Sequence, residues 1–238
     1  MGKRYFSYDD AYLAELKKYE DIVKEYCKWA HLKENPLELA REHKIVEKLR
    51  PEFYSKSLRT DPSIKGIRPE FYSLVLDFRE VWNMLVGYVA LDQEVIHKFN
   101  TRFKGKRILE VGCGTGALAK CLQDTGIDVI ATDDFSWSWP SRWLDNIENI
   151  DAVSAVKKYS KDVDYVLISW PNYHEPTAYD ALETMREVNP DCKMIYIGEG
   201  IDGCTADNNF IVKANVIDKD YGTIKRFDGY HDFLMICN

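Results

Sequence analysis

The feature that most constrains the fold is a short apolar segment that runs directly into three closely spaced glycines, R-I-L-E-V-G-C-G-T-G at residues 107–116. Ile108, Leu109 and Val111 predict a buried strand. Glycines at alternate positions allow a sharp turn and a closer approach to a ligand than a Cβ would permit. Residues 117–124 read as the following helix, whose N-terminal amides would face that ligand. The segment therefore predicts a nucleotide-binding strand, turn and helix.

Two classes of nucleotide site fit the glycines. With Ala117 in the last place, the turn satisfies the loose dinucleotide pattern G-x-G-x-x-G/A. Glu110 discriminates between the two classes of site. A dinucleotide-binding strand normally has a buried apolar side chain at this position, two residues before the first glycine. Glu110 followed by glycines at alternate positions resembles the first motif of class I S-adenosylmethionine-dependent methyltransferases. The resemblance implies that the acid organises the turn and the cofactor's amino-acid end, and it assigns cofactor binding to the turn residues Gly112, Cys113, Gly114 and Gly116. An ordinary glycine turn with a solvated Glu is the alternative.

A second acid closes the next predicted strand. Residues 128–132 form an apolar run that ends in Asp133, and a carboxylate at that place can accept hydrogen bonds from both ribose hydroxyls of a nucleoside. NAD enzymes use the same arrangement, so Asp133 favours an adenosine-containing cofactor without choosing between the two classes. In the loop that follows, Phe135 and Trp137 are predicted to cover the adenine face.

Asp151 and Ala152 lie where the third methyltransferase motif would fall. The resemblance implies a contact between Asp151 and the adenine amino group. An equally good interpretation makes Asp151 the N-cap of a short helix that runs through Val156. Both interpretations stay open at the level of the sequence.

A fourth motif follows the predicted strand at residues 164–169, whose apolar and β-branched content is typical of a strand. The next residues, Trp170-Pro171-Asn172-Tyr173, resemble the D/N-P-P-Y/F/W motif of amino-directed methyltransferases. Trp170 stands where that motif has an acid or amide, and Asn172 replaces its second proline; Ser169 is the candidate for the missing polar contact. Trp170 and Tyr173 are assigned to the acceptor side. The alternative is a proline turn capped by packed aromatic side chains.

A general base is needed if the acceptor is a hydroxyl or a protonated amine. His174, beside Glu175, follows the W-P-N-Y loop and is the first candidate. His231, beside Asp232, is the second. An ordinary surface histidine is the alternative in both cases.

From about residue 104 onward, strands and helices alternate, which predicts a doubly wound α/β domain with a mostly parallel sheet. The methyltransferase resemblance implies seven strands with a closing antiparallel pair at one edge. Later elements predicted from the pattern are a helix at 177–188 and strands at 193–198, 210–217 and 232–237. We therefore predict a Rossmann-like S-adenosylmethionine-binding catalytic domain over residues 101–238.

Residues 1–100 have helical spacing instead, with predicted helices at 8–30, 36–49, 69–88 and 92–99. They are interpreted as a helical lid or substrate-recognition region. Residues 41–68 carry an excess of Lys and Arg over Asp and Glu, which would attract an anionic acceptor, although a solvated basic helix face explains it as well.

Composition restricts the remaining possibilities. The formal charge of -7 argues against broad, charge-driven binding to duplex nucleic acid. The six cysteines form no C-x-x-C pair and the histidines show no ligand spacing, so no metal site is expected. Neither a membrane-spanning run nor a signal peptide is recognised, so a cytoplasmic location is expected. The sequence does not indicate an oligomeric state.

These observations favour a methyltransferase that uses S-adenosylmethionine on a small-molecule or nucleotide-like acceptor. One alternative is an amino methyltransferase of nucleic acid, suggested by the W-P-N-Y loop and the basic segment. Another is a regulatory protein that binds the cofactor without turnover, because Trp170 replaces the expected polar residue. A nicotinamide-dependent reductase is disfavoured by Glu110.

Overall fold

The structure, a computed structural model, describes residues 83, 86–89, 91, 93–137, 142–201, 203–224 and 231–238. Its centre is one seven-stranded sheet. In chain order the strands are β1 (Arg107–Val111), β2 (Asp128–Asp133), β3 (Glu148–Asn149), β4 (Tyr165–Ser169), β5 (Lys193–Gly198), β6 (Val216–Asp220) and β7 (Phe233–Cys237). The helices are α1 (Gln93–Phe103), α2 (Ala117–Asp124), α3 (Ala152–Tyr159), α4 (Thr177–Val188) and α5 (Asn208–Lys213).

The strand order across the sheet is β3-β2-β1-β4-β5-β7-β6. The first five strands in that order are parallel, and β7 is antiparallel to both of its neighbours, β5 and β6. This is the doubly wound, mostly parallel sheet with an antiparallel closing pair that the methyltransferase resemblance implies. The fold prediction is therefore confirmed.

Helices cover both faces of the sheet because apolar side chains alternate along buried strands. On β1, Ile108 belongs to the core that includes side chains of α1 and α2. Leu109 and Val111 belong to the opposite core, with side chains of α3, α4 and α5. Glu110 lies two residues after Ile108 and is therefore on the same face of the strand, so its carboxyl lies on the α2 side of the sheet.

One predicted strand is wrong. Residues 210–217 do not form a single strand: Phe210 lies in α5, and the strand begins at Val216. The cause is a helix cap, since the side chain of Asp207 accepts a hydrogen bond from the Phe210 N–H at 2.9 Å. In the helix, the Phe210 ring packs against Tyr196 with centroids 4.9 Å apart.

Two helix ends also differ from the predictions. The predicted helix 92–99 continues to Phe103 as α1, because Phe99 and Phe103 are both fully buried in the core of the sheet. The predicted helix 69–88 does not reach its last residues, since 86–89 form turns and bends and Gly87 has a φ of 119°. The predicted helices 8–30 and 36–49 and the basic segment 41–68 lie outside the described residues.

None of the helices that the structure describes is long and apolar enough to cross a membrane. The helix α1 spans the domain boundary suggested near residue 100, and its apolar face belongs to the sheet domain.

Candidate functional site

The glycine turn lies at the carboxyl end of β1, at the point where the chain crosses to α2. Gly112, Gly114 and Gly116 have φ values of 63°, 59° and 77°, in the left-handed region that strongly favours glycine. The turn is fixed by two backbone bonds, from the Cys113 N–H to the Thr132 carbonyl at 3.0 Å and from the Gly116 N–H to the Cys113 carbonyl at 2.9 Å. The local conformation is the one predicted from the glycine spacing.

Glu110 is the unusual buried group of this turn, with 1% of its surface exposed. Burial raises the pKa of its carboxyl to about 8, opposed by a hydrogen bond from the Ala119 N–H in the first turn of α2 and supported by the negative charge of Asp133. Its Oε2 atom has no hydrogen-bond partner among the described residues. A carboxyl in such surroundings becomes ionised when a cation approaches it.

Asp133 connects β2 to the glycine turn. Its Oδ2 accepts a hydrogen bond from the Gly114 N–H and its Oδ1 one from the Phe135 N–H, both at 2.8 Å. Burial raises the pKa of Asp133, and these two N–H groups oppose the increase. Each carboxylate oxygen keeps acceptor capacity for a further donor, so the side chain is oriented by the turn and available to a ligand.

Thr115 joins the turn to the segment that precedes α1. Its buried hydroxyl donates a hydrogen bond to the Val86 carbonyl at 2.6 Å and accepts one from the Ala117 N–H at 3.3 Å. This bond holds residues 86–89 beside the glycine turn. It thereby places Tyr88 next to the site.

The loop after β4 is held by backbone bonds to neighbouring segments. The Trp170 N–H donates to the Ile197 carbonyl at 2.8 Å, and the Ala206 N–H donates to the Pro171 carbonyl at 3.0 Å. Trp170 has a φ of 48°, a strained conformation for a bulky residue that this bonding supports. Its ring stacks on Tyr88, with centroids 5.2 Å apart and planes inclined by 16°.

These segments surround one cavity at the carboxyl ends of β1, β2 and β4, where ligands bind in open α/β sheets. Because Val111 on β1 pairs with Thr132 on β2 and with Ile168 on β4, the three strand ends are adjacent. The cavity is lined by most of the residues proposed from the sequence: Glu110, Gly112, Cys113, Gly114, Asp133, Ala152, Ser169 and Trp170.

Five sequence-proposed residues do not line the cavity. Gly116 is the N-cap residue of α2. Asp151 is the N-cap of α3, where its side chain accepts the Ser154 N–H at 2.9 Å. The Phe135 ring lies beneath the Arg142 guanidinium, 3.8 Å from its centroid. Tyr173 and His174 are exposed, with ring centroids 3.5 Å apart.

His231, the second candidate for a general base, lies beside a hydrogen-bond network that is separate from the cavity. The His231 side chain is 81% exposed, and its Nδ1 is 3.9 Å from the Glu199 carboxylate. Glu199 accepts backbone hydrogen bonds from His231 and Cys204, each at 2.8 Å. Neither His231 nor Glu199 lines the cavity.

Acidic side chains dominate the charge of the cavity. Among the described residues that line it, the titratable acids are Glu110, Asp133, Asp134 and Glu175, and none is Lys, Arg or His. Burial and the nearby acids raise the pKa of the Cys113 thiol far above its usual range, so this cysteine is not an activated nucleophile. Within the described ranges, no cluster of His, Cys, Asp and Glu side chains could hold a metal ion.

Several lining residues were not proposed from the sequence. The helical pattern at 69–88 puts Tyr88 at the end of a helix, although Gly87 is a signal against a helix at that point. Thr115 had no sequence signal, because its role depends on Val86, far away along the chain. Asn172 and Glu175 both line the cavity and are joined by a hydrogen bond from Nδ2 to Oε2 at 3.0 Å.

Comparisons with known proteins add similarity of fold. No protein-family model matches the chain, and no curated protein matches its sequence. Among solved structures, TehB from Haemophilus influenzae is 12% identical with a TM-score of 0.44 over 67% of this chain, and the match spans 66% of that chain.

Two further structures are similar at the same level. The protein PH0226 from Pyrococcus horikoshii is 17% identical with a TM-score of 0.39, over 78% of this chain and 99% of that one. A 1,6-didemethyltoxoflavin-N1-methyltransferase from Burkholderia thailandensis, with S-adenosylhomocysteine bound, is 16% identical with a TM-score of 0.42, over 71% of this chain and 89% of that one.

Proposed function

We propose that the chain is an S-adenosylmethionine-dependent methyltransferase that acts on a small-molecule acceptor. The observation that carries the proposal is the buried Glu110 carboxyl, which lines the cavity beside the glycine turn and whose Oε2 has no partner among the described residues. A ligand with a cationic group near this carboxyl supplies the missing partner. S-adenosylmethionine is such a ligand, because it carries both a sulfonium and an ammonium group.

The residues around the turn suit the rest of this cofactor. Asp133 lines the cavity with both carboxylate oxygens already oriented by backbone N–H groups, which suits it to accept hydrogen bonds from two ribose hydroxyls. Gly112 and Gly114 allow close approach to the turn. Trp137 lines the cavity and is the aromatic side chain that we assign to the adenine face.

The charge of the cavity argues against the dinucleotide alternative. A nicotinamide dinucleotide carries a diphosphate, and placing it beside the carboxylates of Asp133, Asp134 and Glu175 is electrostatically unfavourable. No cationic side chain among the described lining residues offsets that repulsion. A cofactor with a net positive charge is favoured by the same groups.

When bound, S-adenosylmethionine supplies a methyl group on a positively charged sulfur, which an acceptor attacks in line. For such a transfer, the protein mainly has to align the donor with the acceptor and to exclude water. The W-P-N-Y loop contributes Trp170 and Asn172 to the cavity wall, and its backbone is fixed by bonds to Ile197 and Ala206. Tyr173 as an acceptor contact and His174 as a base stay predictions.

Calorimetry with the full chain tests the proposal. We expect S-adenosylmethionine and S-adenosylhomocysteine to bind, NAD to bind at least about tenfold more weakly, and Glu110→Gln to weaken the binding of the two sulfur cofactors. Tight binding of NAD without binding of either sulfur cofactor would contradict the proposal.

Turnover separates the catalytic proposal from the two remaining alternatives. Formation of S-adenosylhomocysteine that depends on a small acceptor supports the proposed enzyme. Release that requires RNA or DNA and falls steeply with salt concentration indicates a nucleic-acid methyltransferase instead. Cofactor binding without turnover on a broad acceptor panel indicates the regulatory protein.

A further inference from the structure

The segment after β5 is folded around a buried carboxylate. Glu199 follows β5 directly, and 5% of its surface is exposed. Its Oε1 accepts a hydrogen bond from the His231 N–H and its Oε2 one from the Cys204 N–H, both at 2.8 Å. Hydrogen bonds to a carboxylate are stronger than those between neutral groups. One side chain therefore joins the end of β5 to the loop after it and to the segment that enters β7.

Two buried hydroxyl groups fix the backbone of the same residue. The Thr205 hydroxyl accepts a hydrogen bond from the Glu199 N–H at 2.8 Å, and the Tyr196 hydroxyl donates one to the Glu199 carbonyl at 2.7 Å. The two hydroxyls are hydrogen-bonded to each other at 2.6 Å. We call these three residues, Tyr196, Glu199 and Thr205, the Glu199 cluster.

Two glycines leave the space that the Glu199 cluster occupies. A Cβ at Gly203 would lie 2.4 Å from the Cβ of Glu199, and a Cβ at Gly198 would lie 2.6 Å from the Tyr196 hydroxyl oxygen. Side chains do not approach each other so closely, so only glycine fits at either position. The cluster is therefore a closely packed unit.

Ala206 connects the Glu199 cluster to the W-P-N-Y loop. Its N–H donates a hydrogen bond to the Pro171 carbonyl at 3.0 Å, and its carbonyl accepts one from the His174 N–H at 3.2 Å. Because Ala206 directly follows Thr205, the cluster fixes the residue that bonds the loop at two points. Pro171 lines the cavity, whereas Glu199 does not. The cavity wall after β4 is thus supported from behind by the cluster.

The supported loop has a strained backbone. Trp170, His174 and Ala206 have φ values of 48°, 60° and 58°, in the left-handed region that is unfavourable for residues with a Cβ. Such conformations persist only where the surrounding structure holds them. Here the bonds through Ala206, together with the bond from the Trp170 N–H to the Ile197 carbonyl at 2.8 Å, supply that support.

We propose that Glu199 is a positioning residue, which acts through Thr205 and Ala206 to hold the W-P-N-Y loop in its strained conformation. Its importance for the reaction rests on the proposed function, because the positioned wall belongs to the cavity that we assign to the methyl donor. Loss of the Glu199 carboxylate should displace this wall and leave the glycine turn unchanged.

Hydrogen exchange on the full chain tests the proposal. Glu199→Gln keeps the size of the side chain but replaces one of the two accepting oxygens by an NH₂ group, which cannot accept from an N–H. We expect the amides of Ala206 and His174 to exchange about tenfold or more faster, while those of β1 and α2 keep their rates. The matched control Glu187→Gln lies on an exposed part of α4, away from the cavity, and should change none of these rates.

Two other exchange patterns would overturn the proposal. If only the amides of Cys204 and His231 exchange faster, Glu199 holds its own loop and does not position the cavity wall. If exchange accelerates equally in β1 and α2, Glu199 stabilises the whole fold without positioning one loop.

A spectroscopic signature reports on the cavity wall directly. In the chain labelled with 5-fluorotryptophan, the ¹⁹F signal of Trp170 is the one that Trp170→Phe removes. Glu199→Gln should shift or broaden that signal, and Glu187→Gln should not. Affinity for S-adenosylhomocysteine, measured by calorimetry, should stay within about threefold in Glu199→Gln, because the glycine turn shares no partner with the cluster. An unchanged Trp170 signal would contradict the proposal.

Relief of the strain should rescue the variant. Adding Ala206→Gly to Glu199→Gln places a residue that adopts positive φ without penalty at the connecting position. We expect exchange of the His174 amide to slow by about threefold or more relative to Glu199→Gln alone. The matched control is Ala214→Gly in the same core, where φ is -61°. Equal effects of the two glycines would show that strain at Ala206 is not what the cluster supports.

A second variant and the cofactor measurement separate the possible failures. If Glu199→Gln does not fold, Thr205→Val removes the hydroxyl that bonds the Glu199 N–H and should accelerate exchange at Ala206 and His174 in the same way; unchanged rates would overturn the proposal. If the unsubstituted chain does not bind S-adenosylhomocysteine, the proposed function fails, and the exchange rates still decide whether Glu199 holds the loop.

Discussion

The two halves of the cavity are built in different ways. The half at β1 and β2 consists of the glycine turn, Glu110 and Asp133, and its interactions are made between two consecutive strands and the helix between them. The half at β4 consists of the W-P-N-Y loop and Glu175, and its aromatic surface is completed by Tyr88, from a segment far away in sequence. The first half depends on local geometry and the second on long-range packing.

This difference explains why sequence motifs predict the proposed cofactor but do not predict the acceptor. The sequence signals for the positive φ angles and for the acid at the end of a strand all lie within one supersecondary unit, the segment from β1 through α2 to β2. The wall of the cavity at β4 is assembled from segments that approach each other only in the folded chain. Four substitutions test this comparison.

The largest effect is expected at Glu110. Burial raises the pKa of its carboxyl from the ordinary value of 4.5 to about 8 in the folded chain, so the folded state binds more protons at this group than the unfolded state does between these values. The contribution of Glu110 to the free energy of unfolding should therefore be complete below about pH 4.5 and fall as the pH rises to about 8, by up to about 1.4 kcal/mol per pH unit. Urea unfolding at several pH values measures the slope.

Glu110→Gln should remove this contribution to the slope, because glutamine does not titrate. In the unsubstituted chain, binding of S-adenosylhomocysteine near pH 7 should release a proton as its ammonium group favours the ionised carboxyl. Calorimetry in buffers of different ionisation enthalpy detects that release. An unchanged slope in the variant would show that Glu110 is not the buried titrating group.

The next effect is expected at Asp133. Asp133→Ala removes the acceptor of two backbone N–H groups and the proposed ribose contact, and should weaken cofactor binding by about 1 to 3 kcal/mol. The matched control is Asp128→Ala at the other end of β2, where an exposed carboxylate pairs with Arg107 at 3.0 Å. Equal affinities of the two variants for S-adenosylhomocysteine would refute the ribose assignment.

A smaller effect is expected at Thr115, which connects the two halves. Thr115→Val keeps the shape of the side chain but leaves the Val86 carbonyl without its 2.6 Å partner, and should lower the free energy of unfolding by about 1 to 2 kcal/mol. Thr115→Ser keeps the hydroxyl and serves as the control. Denaturant titration compares the variants, and a loss in Thr115→Ser without a loss in Thr115→Val would mean that the methyl group matters rather than the hydrogen bond.

The smallest effect concerns the two interpretations of Asp151. As the N-cap of α3, Asp151→Ala should reduce the free energy of unfolding by about 1 kcal/mol, and Asp151→Asn should restore most of that loss. Cofactor affinity should remain unchanged in both variants, as measured by calorimetry. Loss of affinity in Asp151→Ala without loss of stability would favour the adenine contact instead.

Much of the sheet domain was predictable because its signals are local. The bounds of α2, α4 and β5 agree with the sequence prediction, since each element has the apolar period of its class and ends at a turn residue. The exception at 210–217 has a local cause too: Asp207 caps α5, and the apolar residues after it are compatible with either helix or strand.

The residues of the site also differ in how far local sequence signals predict them. Of the turn residues, Gly112, Cys113 and Gly114 line the cavity together with Asp133, whereas Gly116 does not. Tyr88, by contrast, carries no motif, and only the Thr115 hydrogen bond and the stack on Trp170 bring it to the cavity. Of the two aromatic residues proposed for the acceptor side, the structure puts Trp170 in the cavity wall and leaves Tyr173 exposed.

The sequence by itself determined the strand, the glycine turn and the positions of Glu110 and Asp133, because steric limits on φ and the period of apolar side chains act between near neighbours. Only the tertiary structure decided that Glu110 is buried with one oxygen that has no partner among the described residues, and that the rings of Tyr88 and Trp170 stack on each other. Burial and stacking depend on which distant segments pack together, and that packing is a property of the whole fold.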